Sequence, residues 1–346
     1  MTGTSPTVRQ RELGTRLRAL RAGSGMTVEE VAEKLLCSAT KISRLETGAR
    51  RPSLRDVRDL CGLYEVGEPS STELMNLARG AREPGWWTQY DDLSLDPLIG
   101  LEQAATAITC YSMYYVPALL QTADYARAII KAIAPKMDPD VLQQRVEARL
   151  RRQQLLDDAD RPRYRVLLDE AMLRRPVGGP EIMADQLDKV LDTGRQNKVT
   201  VQVIPFEAGA HAAADGYFIL LEFDDPNLSP VVFLEGLTGI HFRERKDEIA
   251  RYREAIEYLR DSALNPRDSL SLMAEASQSF RHQVALFYAV PEIVHLEGIS
   301  HVRKRLGLGR YCLANLSLMM ATLGAPEPSV SRKSRPSRMG TSSVLK

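Results

Sequence analysis

Residues 38–51, SATKISRLETGARR, carry side chains that could recognise a nucleic acid. If Ile42 and Leu45 face inward, the outward face of a helix here carries small, hydroxyl-bearing and cationic side chains and no carboxylate. Short side chains permit a close approach to the major groove, and an arginine can donate to O6 and N7 of guanine. The residues that this geometry predicts to contact bases are Ala39, Thr40, Ser43 and Arg44.

Further donors flank this segment and suit the phosphates of a nucleic acid backbone. Arg50, Arg51 and Arg55 follow it closely, and such cations neutralise phosphates without reading the base sequence. We expect phosphate contacts from Ser38, Lys41, Arg50 and Arg51. The alternative is a helical bundle in which these charges form a solvated surface.

The elements that would position this face are short capped helices. Leu13, Leu17 and Leu20 recur at i, i+4 and i+7, which predicts an amphipathic helix. Thr27 with Glu30 forms a capping box at the start of the next helix. Two later helix starts are indicated by paired residues, Ser53 with Asp56 and Ser70 with Glu73.

A tight turn around Leu36 and Cys37 separates the second and third of these helices. Ser38 then stands at an N-cap position, and Gly48 stands where a left-handed C-cap residue belongs. Two helices joined by so short a turn have the geometry of a helix-turn-helix. The sequence therefore predicts about five helices in roughly 70 residues.

Charge is unevenly distributed along the 346 residues, although the formal net charge is only +1. Residues 1–82 contain 14 basic and 10 acidic side chains, residues 83–275 contain 22 and 32, and residues 276–346 contain 10 and 3. A basic head, an acidic body and a basic tail follow one another. The head is therefore the part expected to meet a polyanion, unless chance and solvated faces explain the pattern.

The composition, 44% hydrophobic and 26% charged, is that of a globular protein. There is no apolar run of about 18 residues, and the first residues lack the apolar core of a signal peptide. We therefore expect a cytoplasmic, nucleoid-associated protein without a membrane segment. The four cysteines lack CxxC spacing, and no phosphate-loop or GxGxxG pattern occurs, so neither metal nor cofactor is expected.

The segment MTVEEVAEKLLCSATKISRLETGARRPS resembles the helix-turn-helix of lambda-repressor-like, Xre-type regulators. The resemblance implies an all-α, five-helix DNA-binding domain over residues 9–82 that binds DNA as a dimer. It also implies a largely buried, architectural ion pair between Arg21 and Glu46. Leu36 departs from the pattern, because the family often has glycine at this turn position.

The body, residues 86–275, mixes helical and strand patterns. Residues 101–134 have the pattern of two helices broken at Pro117, and Asp138 with Pro139 begins another helix. Four segments have the pattern of strands: RYRVLLDEAML, VTVQVIPF, GYFILLEF and PVVFLEG. A helical segment, EIMADQLDKVLDTG, lies between the first two, and a last long helix, KDEIARYREAIEYLRDSAL, follows the fourth. This order predicts a mixed α/β or α+β sheet domain.

Several body segments, including YYVPALLQTADYARA, RLRRQQLL and LLDEAMLRRPVGG, resemble a domain of unknown function that follows Xre-type heads in actinomycetes. That domain is described as antitoxin-like, and the resemblance implies an effector domain working with a small companion protein encoded nearby. The family usually has V-P-G-L-L-Q-T, where this chain has Ala118. If that glycine needs a positive φ, the turn is strained here.

His211 and Asp215 lie four residues apart in a glycine- and alanine-rich loop, where they could line an effector pocket. A histidine near a carboxylate can also act as a general base or as half of a metal site. No nucleophile motif accompanies them, so we expect neither an enzyme nor a metal site. Residues 276–346 match nothing recognised, and the last 21 have the composition of a disordered basic tail.

These observations favour a sequence-specific DNA-binding transcriptional regulator. Its recognition helix, about residues 38–47, would enter the major groove of an inverted-repeat operator bound by a homodimer. The alternative is an antitoxin-like interaction protein that mainly binds a small companion protein, with DNA binding serving autoregulation. The two alternatives are compatible, and a companion protein that copurifies with the chain would favour the second.

Overall fold

The computed structural model describes residues 5–90, 96–213, 216–237 and 239–297. Contacts within the chain divide it after His282, and the sites discussed below all lie in the first of the two units. The predicted disordered tail falls in residues 298–346, outside the described residues.

The head consists of five α-helices, as the sequence predicts. Their inward faces share one apolar core, to which Leu13, Leu17, Val31, Ile42 and Leu45 contribute. The helices are α1 (Pro6–Gly23), α2 (Val28–Lys34), α3 (Ala39–Glu46), α4 (Leu54–Leu63) and α5 (Ser70–Gly80).

The predicted caps explain where three of these helices begin. Thr27 and Ser53 each form a capping box, and the Ser38 hydroxyl accepts from the Lys41 amide. Ser70, in contrast, is the first helical residue of α5 and not its cap. Pro69 precedes it and offers no side-chain hydrogen bond.

The body is a mixed α/β domain around one six-stranded sheet, which confirms the predicted fold class. The strands are β1 (Ala107–Ser112), β2 (Arg163–Asp169), β3 (Val199–Ile204), β4 (Phe218–Glu222), β5 (Val231–Gly236) and β6 (Gly239–Arg243). Their order is β3-β2-β1-β4-β5-β6. β1, β2 and β3 are parallel, whereas β4, β5 and β6 pair antiparallel.

Helices cover both faces of this sheet, and the apolar residues on the two faces form two main clusters. The helices are α6 (Asp96–Glu102), α7 (Ala123–Ile133), α8 (Pro139–Gln153), α9 (Glu170–Arg174), α10 (Pro180–Arg195), α11 (Lys246–Ser262) and α12 (Pro266–Glu297). α12 crosses residue 276, and its Met273, Ala276 and Phe280 pack in the core of the body.

The prediction of two helices broken at Pro117 is wrong for its first half. Residues 107–112, AITCYS, form β1, which lies between β2 and β4 and is buried along its whole length. A short apolar run with both faces buried has no alternation, so periodicity cannot separate it from a buried helix. The second half is helical, as α7.

Helix α1 connects the two cores. Val8, near its start, packs with Leu98 and Leu101 in the core of the body. Leu13 and Leu17, further along the same helix, lie in the core of the head. One continuous helix of 18 residues therefore contributes side chains to both cores.

Candidate DNA-binding site

The turn between α2 and α3 has a left-handed residue at its centre. Leu36 has φ of 48° and is 95% exposed. The Cys37 amide donates to the Ala32 carbonyl at 2.9 Å, which closes the end of α2 as in a Schellman motif. The position at which the sequence departs from the glycine pattern is therefore one where glycine would be unstrained.

Helix α3 presents the face that the sequence predicts. Ile42 and Leu45 are 1% and 3% exposed and anchor the helix in the core of the head. On the opposite side Thr40, Ser43 and Arg44 are exposed, and Ala39 is half-buried. Of the four predicted base-contacting residues, the structure therefore exposes Thr40, Ser43 and Arg44, whereas Ala39 packs partly against the core of the head.

The ammonium of Lys41 is held by an ion pair within the head. Its Nζ lies 2.5 Å from Oδ1 of Asp56, and Asp56 also caps α4 through Ser53. Burial would raise the pKa of Asp56, but the hydrogen bonds from Lys41 and Ser53 outweigh it and lower this pKa below its usual value. Lys41 thus links α3 to α4, and its predicted phosphate contact stays a prediction.

The chain leaves α3 through a left-handed glycine. Gly48 has φ of +66°, and a Cβ at this position would lie 2.9 Å from Cγ of Arg11. The Gln10 side chain donates to the Gly48 carbonyl at 2.6 Å. Beyond this turn Arg50 and Arg51 are exposed, as contacts to phosphate require.

Arg21 and Glu46 form a bidentate ion pair under the recognition helix. Nε of Arg21 is 2.6 Å from Oε1 of Glu46, and Nη2 is 3.0 Å from Oε2. Nη1 of Arg21 donates to the Met26 carbonyl. Nearby, a Cβ on Gly14 would lie 2.7 Å from the Glu46 carbonyl oxygen, so glycine permits the close approach of α1 to α3.

Contacts between the head and the body are features that sequence reasoning missed. Arg11 forms an ion pair with Glu244, and its guanidinium lies 5.2 Å from the centre of the Phe242 ring. The Ser5 hydroxyl donates to the Gly100 carbonyl at 2.7 Å. Charges more than 200 residues apart give no sequence signal of their contact.

The predicted effector pair is not described as a pair, because Asp215 lies outside the described residues. His211 lies instead beside Asp169, at the end of β2, with Nε2 3.2 Å from Oδ2. The Tyr111 hydroxyl is 3.5 Å from the same nitrogen. Because Asp169 also caps α9, its position is fixed by the fold.

Two further findings concern membrane-spanning segments and metal sites. Within the described residues, no helix combines the length and apolar content that a membrane span requires. In the same part of the chain, no three His, Cys, Asp or Glu side chains are grouped so that they could hold a metal ion.

A five-helix head whose third helix exposes a face without carboxylates defines a helix-turn-helix protein. Accordingly, residues 12–74 match the family model of the helix-turn-helix domain. Residues 95–275 match the domain of unknown function DUF5753, and the chain belongs to this family. Neither a curated protein nor a solved structure matches the chain.

Proposed function

We propose that the protein is a sequence-specific transcriptional regulator of the Xre type, with α3 as its recognition helix. The observation that carries the proposal is the exposed face of Thr40, Ser43 and Arg44, backed by buried Ile42 and Leu45. Such a face fits the major groove, where hydroxyl and guanidinium groups distinguish base pairs.

The roles of individual residues follow from their positions. Arg44 donates to a guanine, Thr40 and Ser43 bond base edges, and Ala39 contacts a thymine methyl group. Arg50 and Arg51, exposed beyond the C-cap of α3, contact phosphates and fix the register. The phosphate contacts expected from Ser38 and Lys41 are secondary, because the Ser38 hydroxyl caps α3 and Lys41 is paired with Asp56.

The wider proposal concerns assembly and regulation. Heads of this kind bind as homodimers to inverted half-sites about one helical turn apart. The body, with 22 basic and 32 acidic residues in 83–275, is unsuited to DNA. It would serve as a regulatory domain without catalytic activity and would receive a small companion protein.

The test compares two arginine variants on the DNA upstream of the protein's own coding sequence. Arg44→Ala should weaken specific binding by about 1–3 kcal/mol and relax the preference at one base pair. Arg51→Ala should weaken binding to specific and scrambled DNA alike and reduce the salt slope by about one. Fluorescence anisotropy at several salt concentrations measures both effects.

Arg195→Ala is the matched control, because Arg195 is an exposed arginine at the end of α10 in the body. It should leave affinity and salt slope unchanged. If Arg44→Ala and Arg51→Ala behave identically on specific and scrambled DNA, the assigned roles are wrong. Footprinting on the same fragment tests the dimer through the spacing of the half-sites.

A further inference from the structure

The middle of helix α1 supports the turn by which the chain leaves the recognition helix. The Gln10 side chain donates to the Gly48 carbonyl at 2.6 Å, and a Cβ on Gly48 would lie 2.9 Å from Cγ of Arg11. Further along α1, a Cβ on Gly14 would lie 2.7 Å from the Leu45 carbonyl oxygen. The end of α3 and the turn after it therefore rest directly on α1.

This turn determines where the proposed phosphate contacts lie. Arg50 and Arg51 follow Gly48 by two and three residues, and the Arg50 amide donates to the Arg44 carbonyl at 2.9 Å. Phosphate contacts fix the register of a protein on DNA. The position of the turn therefore affects whether the base-contacting side chains of α3 meet the base edges.

The same part of α1 is fixed to the body. Val8, three residues before Arg11, packs in the core of the body. The Arg11 guanidinium forms an ion pair with Glu244, which follows β6, and lies 5.2 Å from the centre of the Phe242 ring. That ring lies 5.5 Å from the ring of Phe233, which is 1% exposed. Arg11 is thus anchored to the sheet of the body.

Arg11 contacts the two regions with different parts of one side chain. Its stem lies beneath Gly48, whereas its guanidinium pairs with Glu244. The C-cap residue of α3, Thr47, lines a cavity of about 20 Å³ together with Arg11 and Glu244. Such a cavity has room for about one water molecule. The end of α3 therefore approaches the body closely at Arg11.

We propose that Arg11 is a positioning residue for DNA recognition, which holds the turn after α3 in place because Glu244 and Phe242 of the body hold its guanidinium. Given the role proposed above for α3, on which this inference rests, a turn in this position brings Arg50 and Arg51 to the phosphates. Removing the Glu244 carboxylate frees the guanidinium, and the stem beneath the turn gains rotamer freedom. The body thereby affects DNA binding without touching DNA.

The first experiment measures the turn in the full chain without DNA. Amide hydrogen exchange, followed by mass spectrometry of peptides covering residues 46–52, should be about twofold to fivefold faster in Glu244→Gln than in the wild type, because the turn loses its support. Glu222→Gln is the matched control. Glu222 pairs with Arg253 within the body and is 36% exposed, compared with 38% for Glu244. This control should leave the exchange of the turn unchanged.

The second experiment measures DNA binding by fluorescence anisotropy. Glu244→Gln should weaken binding to the upstream DNA by about twofold to fivefold and binding to scrambled DNA by less, because it alters the register and not the number of cations that face the DNA. Adding Glu244→Gln to Arg11→Met should weaken binding no further than Arg11→Met alone, since both substitutions act through one side chain.

The proposal is overturned if Glu244→Gln leaves the exchange of the turn unchanged, or if Glu222→Gln raises it equally. It is also overturned if the exchange rises while the preference for upstream over scrambled DNA stays that of the wild type. A wild-type chain without such a preference would contradict the proposed function of α3 instead. The exchange measurement would then still decide whether Arg11 supports the turn.

Discussion

The surface around helix α3 and the interior of the body use arginine in opposite ways. Around the recognition helix Arg44, Arg50 and Arg51 are exposed, and none of them forms an ion pair with a described residue. In the body Arg152 is 5% exposed and its partner Glu102 is 3% exposed. The first arrangement leaves guanidinium groups available to a partner, and the second holds one within the fold.

This difference separates what each region can contribute. Exposed cations cost little to keep in water and release counterions when they meet phosphates. A buried pair contributes little net stability, but it makes the fold depend on both partners, because either charge alone would be desolvated without compensation. Variants of the body's pair should therefore affect unfolding, and variants of the head's exposed arginines should affect DNA binding.

The largest expected effect is that of Glu102→Gln. It preserves the shape of the side chain but leaves Arg152 buried without a counter-charge, which should lower the free energy of unfolding by about 3–5 kcal/mol. Urea denaturation followed by tryptophan fluorescence measures this, because Trp86 lies against α8 through Arg151. A double variant, Glu102→Gln with Arg152→Met, should recover part of the loss. Equal losses in both variants would show that the pair itself stabilises the body.

The next largest effect is expected for the ion pair within the head. Glu46→Gln should destabilise the head by about 2 kcal/mol, because it weakens two hydrogen bonds to the charged Arg21. The loss is smaller than for Glu102→Gln because Arg21 is more exposed than Arg152. Far-UV circular dichroism during urea denaturation measures it. A loss as large as that of Glu102→Gln would contradict the ranking by burial.

Leu36→Gly should instead stabilise the head, by about 1 kcal/mol. Leu36 has a left-handed backbone that disfavours a side chain, and its exposed side chain contributes no packing that glycine would lose. Leu36→Ala keeps the strain and should give no gain in the midpoint of thermal unfolding. If the two variants are equally stable, the turn carries no strain that glycine relieves.

The head was more predictable from the sequence than the body because its signals are local. The capping boxes at Thr27 and Ser53 and the left-handed Gly48 each operate within a few residues. β1 was mistaken for a helix because its partners β2 and β4 lie more than 50 residues away, and its complete burial removes the alternation of a half-exposed strand.

The same distinction applies to the candidate sites. The exposed face of α3 could be predicted, because two buried positions, Ile42 and Leu45, orient the whole helix. The condition for strain at Ala118 is not met, since Ala118 has no positive φ.

The smallest effect is expected for Lys41, which lies among the cations of the head but is paired like the buried arginine of the body. Lys41 lies on the recognition helix, but its ammonium forms an ion pair with Asp56, as the guanidinium of Arg152 does with Glu102 in the body. Lys41→Gln should therefore cost the head about 0.5–1 kcal/mol and leave the salt slope of DNA binding unchanged, unlike Arg51→Ala. A double-mutant cycle with Asp56→Asn should return a coupling energy of similar size. A fall in the slope by about one would instead show that Lys41 leaves Asp56 for a phosphate, and that the head's cations act as one set.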